Sequence, residues 1–135
     1  MTLEEAIELN NKSQRKRPSD NEHRIQCACV KLFRYLYPNL LIYAIPNGGQ
    51  RNAIVAAKLK AEGVLAGVPD LHIPVPSGEY HSLYVEMKNG KKGVLSDKQK
   101  EVIECLRSQG HKVVVCRSVD EFEKEIKEYF KNYSK

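Results

Sequence analysis

The chain lacks the features of a membrane-bound or secreted protein. No apolar run in its 135 residues approaches the roughly 20 residues that a membrane-spanning helix needs. Residues 1–5 include two glutamates and are unlike the start of a signal peptide, which has a hydrophobic centre. The sequence has no internal repeat and no low-complexity tract, which argues against a repeat protein or a disordered one. We therefore expect a cytoplasmic protein with no membrane partner.

The cysteines are poorly spaced for binding a metal. The four cysteines, at positions 27, 29, 105 and 116, form no CxxC pair and have no histidine pair nearby. A zinc site is therefore not expected. Cys27 and Cys29 fall in a helical pattern, and Cys116 ends an apolar strand. We expect reduced and mostly buried thiols, as in a cytosolic protein.

Composition and charge indicate one globular domain with an anionic partner. Hydrophobic residues make up 41% of the chain and charged residues 29%, which is typical of a folded domain. The net charge is +5, and the positive charge is concentrated in two segments. Residues 12–34 contain seven Lys or Arg and two acids, and residues 88–100 contain five Lys and one Asp. These clusters favour DNA as the partner, although each could be an ordinary solvated surface.

Helical and strand periodicities alternate along the chain. They predict helices over about residues 2–10, 20–37, 52–62, 96–108 and 118–132, and strands over 40–45, 71–75, 80–88 and 112–116. After the short first helix the order is α-β-α-β-β-α-β-α. Three antiparallel strands, a crossover helix and a last strand predict an α/β fold, a mixed sheet flanked by helices. The predicted domain covers residues 19–135, after an N-terminal helix and basic arm at 1–18.

Two acidic residues stand at the base of the predicted hairpin. Residues 76–79 have turn chemistry, and Gly78 is the midpoint between Asp70 and Glu86. A hairpin centred there places the two carboxylates opposite each other, with Cβ atoms about 4.5–5.5 Å apart. Because side chains alternate along a strand, Glu86 and Lys88 share one face and Met87 points to the other. One face thus presents two carboxylates and an ammonium group.

This combination suits the hydrolysis of phosphodiester bonds. Two neighbouring carboxylates can bind Mg²⁺ or Mn²⁺, and such an ion holds a phosphate oxygen and activates water. Lys88 can orient or deprotonate that water, or stabilise charge on the phosphoryl group. The alternative is a cross-strand salt bridge on a solvated sheet face.

Two further polar residues have two interpretations each. Glu22 extends the face of the first long helix that is directed toward the sheet, yet it also stands three residues after Ser19, as the acid of a capping box does. Gln99 has the same spacing from Ser96, so a capping role would explain it as well. Both residues stay candidates for the site and for helix capping.

Three motifs together resemble a known group of nucleases. Gly67-Val68-Pro69-Asp70-Leu71, Glu86-Met87-Lys88 and Ser96-x-x-Gln99 are similar to the PD-(D/E)xK nuclease superfamily, and more closely to its VRR-NUC (virus-type replication-repair nuclease) family. The loop at residues 46–51 also resembles the one before that family's first motif. The likeness covers about residues 19–118. It implies a PD-(D/E)xK nuclease-like core in a metal-dependent DNA nuclease of bacterial or phage origin.

The resemblance also implies which residues form the active site. Asp70, Glu86 and the backbone carbonyl of Met87 would hold Mg²⁺ or Mn²⁺. Glu22 matches a helix glutamate of the family that assists metal or water binding. Lys88 and Gln99 complete the catalytic set, because the family places a glutamine near the lysine.

DNA contacts are expected from the glycine-containing loop and the two basic clusters. Backbone N–H groups near a helix start can hold a phosphate, and Arg51 is beside them; the alternative is an ordinary loop. The predicted DNA-binding residues are Asn47, Gly48, Gly49, Arg51, Arg15, Lys16, Arg17, Lys91, Lys92 and Lys98. His72 shares the face of Asp70, and Tyr84 shares that of Glu86, so both can line the cleft.

The leading hypothesis is a structure-selective DNA endonuclease. Standalone VRR-NUC proteins of this size are similar to dimeric Holliday junction resolvases, and a two-fold dimer would match the symmetry of a four-way junction. No helix with base-reading residues stands out, so sequence specificity is not expected. The alternatives are a general or restriction-type duplex nuclease and a non-catalytic DNA-binding module. The complete set of two acids and a lysine argues against the second alternative.

Overall fold

Helices and strands follow one another in the predicted order, α-β-α-β-β-α-β-α. The computed structural model describes residues 2–5, 20–46, 52–90 and 93–134. Within these ranges the elements are α1 (Asp20–Leu36), β1 (Tyr43–Ala44), α2 (Ala53–Ala61), β2 (Leu71–Ile73), β3 (Leu83–Met87), α3 (Asp97–Ser108), β4 (Lys112–Cys116) and α4 (Val119–Phe130). The predicted first helix is described only at its start, where Thr2 and Glu5 form the two bonds of a capping box, each 3.1 Å long.

The described strands form one mixed sheet in the order β1-β2-β3-β4. Strands β1, β2 and β3 are antiparallel, and β4 is parallel to β3. A parallel neighbour requires a crossover, which α3 provides. The α/β class, with helices flanking a mixed sheet, is therefore confirmed.

The hairpin has the predicted register but shorter strands. Leu71 pairs with Val85, and one further step in the same register sets Asp70 opposite Glu86. Toward the turn, Ser77 pairs with Tyr80, so residues 74–76 oppose only 81–82 and one residue is extra. Prolines at 74 and 76 cannot donate to the ladder. The predicted bounds 71–75 and 80–88 were therefore too long, and β1, predicted over 40–45, finds only a three-residue partner to pair with.

The main hydrophobic core lies on one face of the sheet, beneath α1 and α4, which pack against each other. The sheet contributes Leu71, Ile73, Leu83, Val85, Met87, Val114 and Cys116, and the two helices contribute Cys29, Phe33, Phe122, Ile126 and Tyr129. These helical residues recur at the spacing that the sequence predicts for an inward face. No described helix is long and apolar enough to cross a membrane.

The expectation of mostly buried cysteines was wrong for two of the four. Cys29 and Cys116 are buried, whereas Cys27 and Cys105 are exposed, and none forms a disulfide. Two residues along a helix correspond to a rotation of about 200°, so Cys27 points away from the core that Cys29 enters. Membership of a helix alone therefore does not make a thiol buried; the side of the helix on which it lies decides.

The opposite face of the sheet is covered on one side by α3. This helix contacts β4, and Ile103 and Val113 are buried there, outside the main core cluster. Because Glu86 alternates with Val85 and Met87, its side chain emerges on this second face. The fold therefore separates the main core from the face that presents the acidic residues.

Candidate active site

The two predicted acids meet at the end of the hairpin. Glu86 is buried, with 1% of its surface exposed. Asp70 Oδ2 accepts a 2.7 Å hydrogen bond from the backbone N–H of Met87. This bond ties the residue before β2 to the end of β3, so the cross-strand position of Asp70 is fixed by the backbone of its partner strand.

Burial and crowding of carboxylates favour the protonated form of Glu86. Burial contributes most to raising the pKa of Glu86 from 4.5 to about 8, and the negative charge of Asp70 comes next. Lys88 lowers this pKa, while the close approach of the Asp70 side chain and the charge of Glu22 raise it. Two carboxylates so close together are costly when both are ionised and no cation is near.

Glu86 has one oxygen held by the protein and one without a protein partner. Its Oε1 accepts a 3.0 Å hydrogen bond from Gln99 Nε2 and lies 3.7 Å from Lys88 Nζ. Its Oε2 is buried and has no hydrogen-bond donor. A buried carboxylate oxygen without a donor is expensive for a folded protein, unless a cation or a proton satisfies it.

Gln99 joins the catalytic candidates to the start of α3. Its Oε1 accepts hydrogen bonds from Lys88 Nζ and from the Ser96 backbone N–H, both at 2.9 Å. The Ser96 hydroxyl in turn accepts from the Gln99 backbone N–H at 3.1 Å. Because both donors occupy the carbonyl end of the amide, its NH₂ end must face Glu86. Gln99 therefore both caps α3 and contacts Glu86, the two roles that the sequence offered as alternatives.

A glycine places α3 close enough for these contacts. Gly67 has a φ of 92°, and a Cβ atom built on it would lie 2.9 Å from the backbone oxygen of Lys98. Only glycine tolerates both the left-handed backbone and this approach. The glycine of the first motif thus sets the distance between the loop before Asp70 and the helix turn that contains Gln99.

Glu22 lies near this group without a direct bond to it among the described contacts. The residue is half-buried in the first turn of α1. Its pKa is raised by burial first and by the charge of Asp70 second, while Lys88 lowers it. A 2.7 Å hydrogen bond from Asn21 Nδ2 to Asn89 Oδ1 fixes this end of α1 against the chain that leaves β3. The alternative role of Glu22, capping with Ser19, lies outside the described residues.

Comparison with known proteins identifies the family. The sequence profile of the VRR-NUC domain matches residues 20–120. The chain belongs to the VRR-NUC family. A solved structure described as a VRR_NUC domain protein superposes with a TM-score of 0.71 at 29% sequence identity, covering 84% of this chain and 91% of that one. No match was found among curated protein sequences. The VRR-NUC family generally consists of nucleases, so the chain has a nuclease-type fold.

The acidic group of this VRR-NUC domain fits a divalent cation. The buried Oε2 of Glu86 and the carboxylate of Asp70 are hard oxygen ligands of the kind that Mg²⁺ and Mn²⁺ prefer. Within the part of the chain that is described, no three His, Cys, Asp or Glu side chains are grouped so that they could hold a metal ion. A cation here would therefore draw much of its shell from water and substrate oxygens, as Mg²⁺ commonly does, in addition to the Met87 carbonyl that the family resemblance implies.

Nine of the ten predicted DNA contacts of the VRR-NUC domain lie outside the described residues. They are Arg15, Lys16, Arg17, Asn47, Gly48, Gly49, Arg51, Lys91 and Lys92. Lys98 is exposed on α3, and its Nζ lies 3.7 Å from Glu101 Oε2. Such an exposed ion pair is weak, so Lys98 can exchange it for a phosphate.

Sequence reasoning missed two structural supports of the VRR-NUC site. Asn21 and Asn89 are 68 positions apart, and no local pattern connects them. Arg117 donates through Nη1 to the carbonyls of Gly90 and Gly93, both at 2.6 Å, and so holds these two residues together. Nothing in the sequence indicated that Arg117 makes these contacts.

Proposed function

We propose that the chain is a divalent-metal-dependent endonuclease that hydrolyses phosphodiester bonds in DNA. The observation that supports this best is the buried Glu86 carboxylate, which has one oxygen without a protein donor beside Asp70. An apolar side chain would be cheaper in a purely structural role. A buried pair of acids is reasonable where a cation binds.

Lys88 and Gln99 prepare the site for the reacting phosphate. When bound, the cation supplies Lewis acidity and makes water more acidic. The half-buried ammonium of Lys88 is held 2.9 Å from Gln99 Oε1 and 3.7 Å from Glu86 Oε1. Held in this way, Lys88 can orient the attacking water or stabilise charge that develops on the phosphoryl oxygens. Gln99 orients both Lys88 and Glu86, because its amide contacts the two side chains at once.

The proposed substrate is branched DNA, bound by a homodimer. The positive clusters at residues 12–34 and 88–100 supply phosphate contacts. A single domain offers one site of this kind, and cutting two opposed strands of a junction requires two sites, most simply related by a two-fold axis. The proposed nuclease domain is residues 19–135, and residues 1–18 are proposed to form an N-terminal helix and a basic arm on the DNA.

A cleavage assay on matched substrates tests the proposal. Linear, flapped, nicked and four-way DNA of shared sequence should be digested in Mg²⁺ or Mn²⁺, with cleavage lost in chelator. Ca²⁺ should support DNA binding without efficient hydrolysis, because its coordination geometry is looser. Faster cleavage of four-way DNA by a protein that scatters light as a dimer supports junction selectivity. Equal cleavage of all substrates by a monomer would indicate a general duplex nuclease, and binding without any cleavage a non-catalytic module.

A further inference from the structure

A row of aromatic rings crosses the sheet beside the acidic residues. Tyr43 on β1 pairs with His72 on β2, and His72 pairs with Tyr84 on β3. His111 stands directly before β4. Successive ring centroids are 5.3, 4.1 and 5.4 Å apart. These four rings, called here the aromatic row, form one continuous contact across all four described strands.

The aromatic row lies on the sheet face that presents the acids. His72 is two residues from Asp70, and Tyr84 is two residues from Glu86, so each pair emerges on the same side. Two residues along a strand span about 7 Å. The row is therefore one pleat away from the acids, on the face opposite the main core. Tyr43, at the edge of the sheet, is 40% exposed.

The polar edges of the histidine rings are bonded within the protein. His72 Nδ1 bonds the Tyr43 hydroxyl at 2.5 Å, and His72 Nε2 bonds Ser82 Oγ at 3.0 Å. The same Ser82 oxygen lies 2.6 Å from His111 Nδ1. This chain of hydrogen bonds fixes the ring orientations. A ligand would consequently meet ring surface more than free hydrogen-bonding groups.

The aromatic row is poorly suited to phosphates. None of its four members is a lysine or an arginine, the residues that usually bind DNA phosphates. Aromatic rings on a sheet face are instead suited to stacking with nucleobases. In a duplex the base faces are already stacked on each other, so only unpaired bases can use this surface.

We propose that the aromatic row binds unpaired bases next to the phosphate that is cut. The proposal rests on the endonuclease function proposed above and narrows its substrate to DNA with unpaired nucleotides beside the cleavage position. Such nucleotides occur at branch points, flaps and gaps. The distance of one pleat lets the row reach a base that neighbours a phosphate held at Asp70 and Glu86.

Base stacking can be measured without cleavage, in Ca²⁺, by the fluorescence of 2-aminopurine. This base is placed on either side of a central phosphate, in single-stranded DNA and in the matching duplex. Binding to the full chain should change the fluorescence in the unpaired strand alone. An abasic nucleotide at the same position should weaken binding of that strand about 5- to 100-fold. No fluorescence change, or no penalty for the abasic nucleotide, would overturn the proposal.

Two variants of Tyr43 separate stacking from structural support. Tyr43→Phe keeps the ring and loses the hydroxyl bond to His72, whereas Tyr43→Leu loses the ring. Tyr43→Leu should weaken binding of the unpaired strand about 5- to 100-fold and leave duplex binding unchanged, while Tyr43→Phe, which keeps the ring, should weaken it less. Equal losses in both variants, or an equal loss on duplex, would overturn the proposal. If Tyr43→Leu does not fold, the abasic comparison with the unmodified protein decides.

The endonuclease function and the aromatic row fail in different experiments. Cleavage of the same DNAs is measured separately in Mg²⁺. A protein that stacks the unpaired base but never cuts would refute the endonuclease function and keep the row as a binding surface. A protein that cuts paired and unpaired DNA equally, with no fluorescence change, would refute the row alone.

Discussion

Gln99 Nε2 donates a hydrogen bond to Glu86 Oε1 at 3.0 Å while the other end of the amide accepts one from Lys88 at 2.9 Å. One neutral side chain therefore bonds both the buried acid and the lysine beside it, and fixes both. Substituting Gln99→Glu keeps the acceptor for Lys88 and Ser96 but replaces the donor to Glu86 with a like charge. We expect Gln99→Glu to reduce cleavage or metal affinity on the order of 10- to 100-fold, measured by single-turnover cleavage and metal titration.

The control for Gln99 is Ser96→Ala, which removes only the helix cap. It should lower the free energy of unfolding by about 0.5–2 kcal/mol and leave the single-turnover rate near that of the wild type well below the melting temperature. If Ser96→Ala slowed cleavage as much as Gln99→Glu, capping rather than contact with Glu86 would explain the effect.

The two acids should be required for cleavage but not for folding or DNA binding. Asp70→Asn and Glu86→Gln each remove a negative ligand while they preserve shape. We expect both to abolish cleavage in Mg²⁺ and to retain affinity for DNA, as measured by fluorescence anisotropy. Normal cleavage by either purified variant would contradict the proposed site.

Lys88→Ala should slow the chemical step far more than it weakens binding. Loss of a positioned proton-transfer or charge-stabilising group typically costs about 10²- to 10⁴-fold. Single-turnover rates at saturating DNA measure this loss. Lys98→Ala is the matched control, because Lys98 is an exposed lysine that should affect only affinity and its salt dependence. If Lys88→Ala lost only DNA affinity, Lys88 would be a phosphate contact and not a catalytic group.

The metal-free protein should lose stability as the pH rises from about 5 to 8. The folded-state pKa of Glu86 is about 8, against 4.5 for the unconstrained group. The native state therefore binds more protons than the unfolded state in this window, and the free energy of unfolding falls with increasing pH. Glu22, whose pKa is also raised, acts in the same direction. Chemical denaturation across this range measures the slope.

Glu86→Gln isolates the contribution of Glu86 to that slope. The lowered pKa of His72 has the opposite effect, because the unfolded state then binds more protons near the ordinary value of 6.5. The difference between the wild type and Glu86→Gln cancels the contribution of His72. At pH 8, saturating Mg²⁺ should restore the free energy of unfolding of the wild type but not that of Glu86→Gln. If the stability of both proteins depended on pH in the same way, the pKa of Glu86 would not be raised in the metal-free state.

Two glycines with positive φ separate backbone strain from crowding. Gly63 and Gly67 have φ values of 109° and 92°, but only at Gly67 would a Cβ atom meet a neighbour within 4 Å, the Lys98 backbone included. Gly63→Ala should cost about 1–2 kcal/mol in the free energy of unfolding and leave cleavage unchanged. Gly67→Ala should cost more and also slow cleavage, because α3 has to move together with Gln99. If both variants lost the same stability and cut DNA at the same rate, the close approach of α3 to Gly67 would not matter for cleavage.

Periodicity and pairing arithmetic predicted the fold well, because both depend on local chemistry. The residues of α4 that face the core and the register of β2 with β3 follow from spacing alone. Strand lengths did not follow from spacing, because the effect of Pro74 and Pro76 on the ladder depends on which residues of the partner strand lie opposite them. Among the site residues, spacing brought Asp70 and Glu86 together. The bonds from Asn21 to Asn89 and from Arg117 to its two carbonyls depend on tertiary approach, so no local pattern reveals them.

The two faces of the sheet have consequences for how such a protein changes over evolutionary time. Because the hydrophobic core with α1 and α4 lies on one face and the acids on the other, substitutions around Tyr43 and His72 leave the larger core intact. The proposed preference for one DNA shape or another can then drift, or be selected in a library, without loss of the folded domain. A library that varies only the exposed residues around Tyr43, on the face that presents the acids, should therefore contain a high fraction of variants that fold.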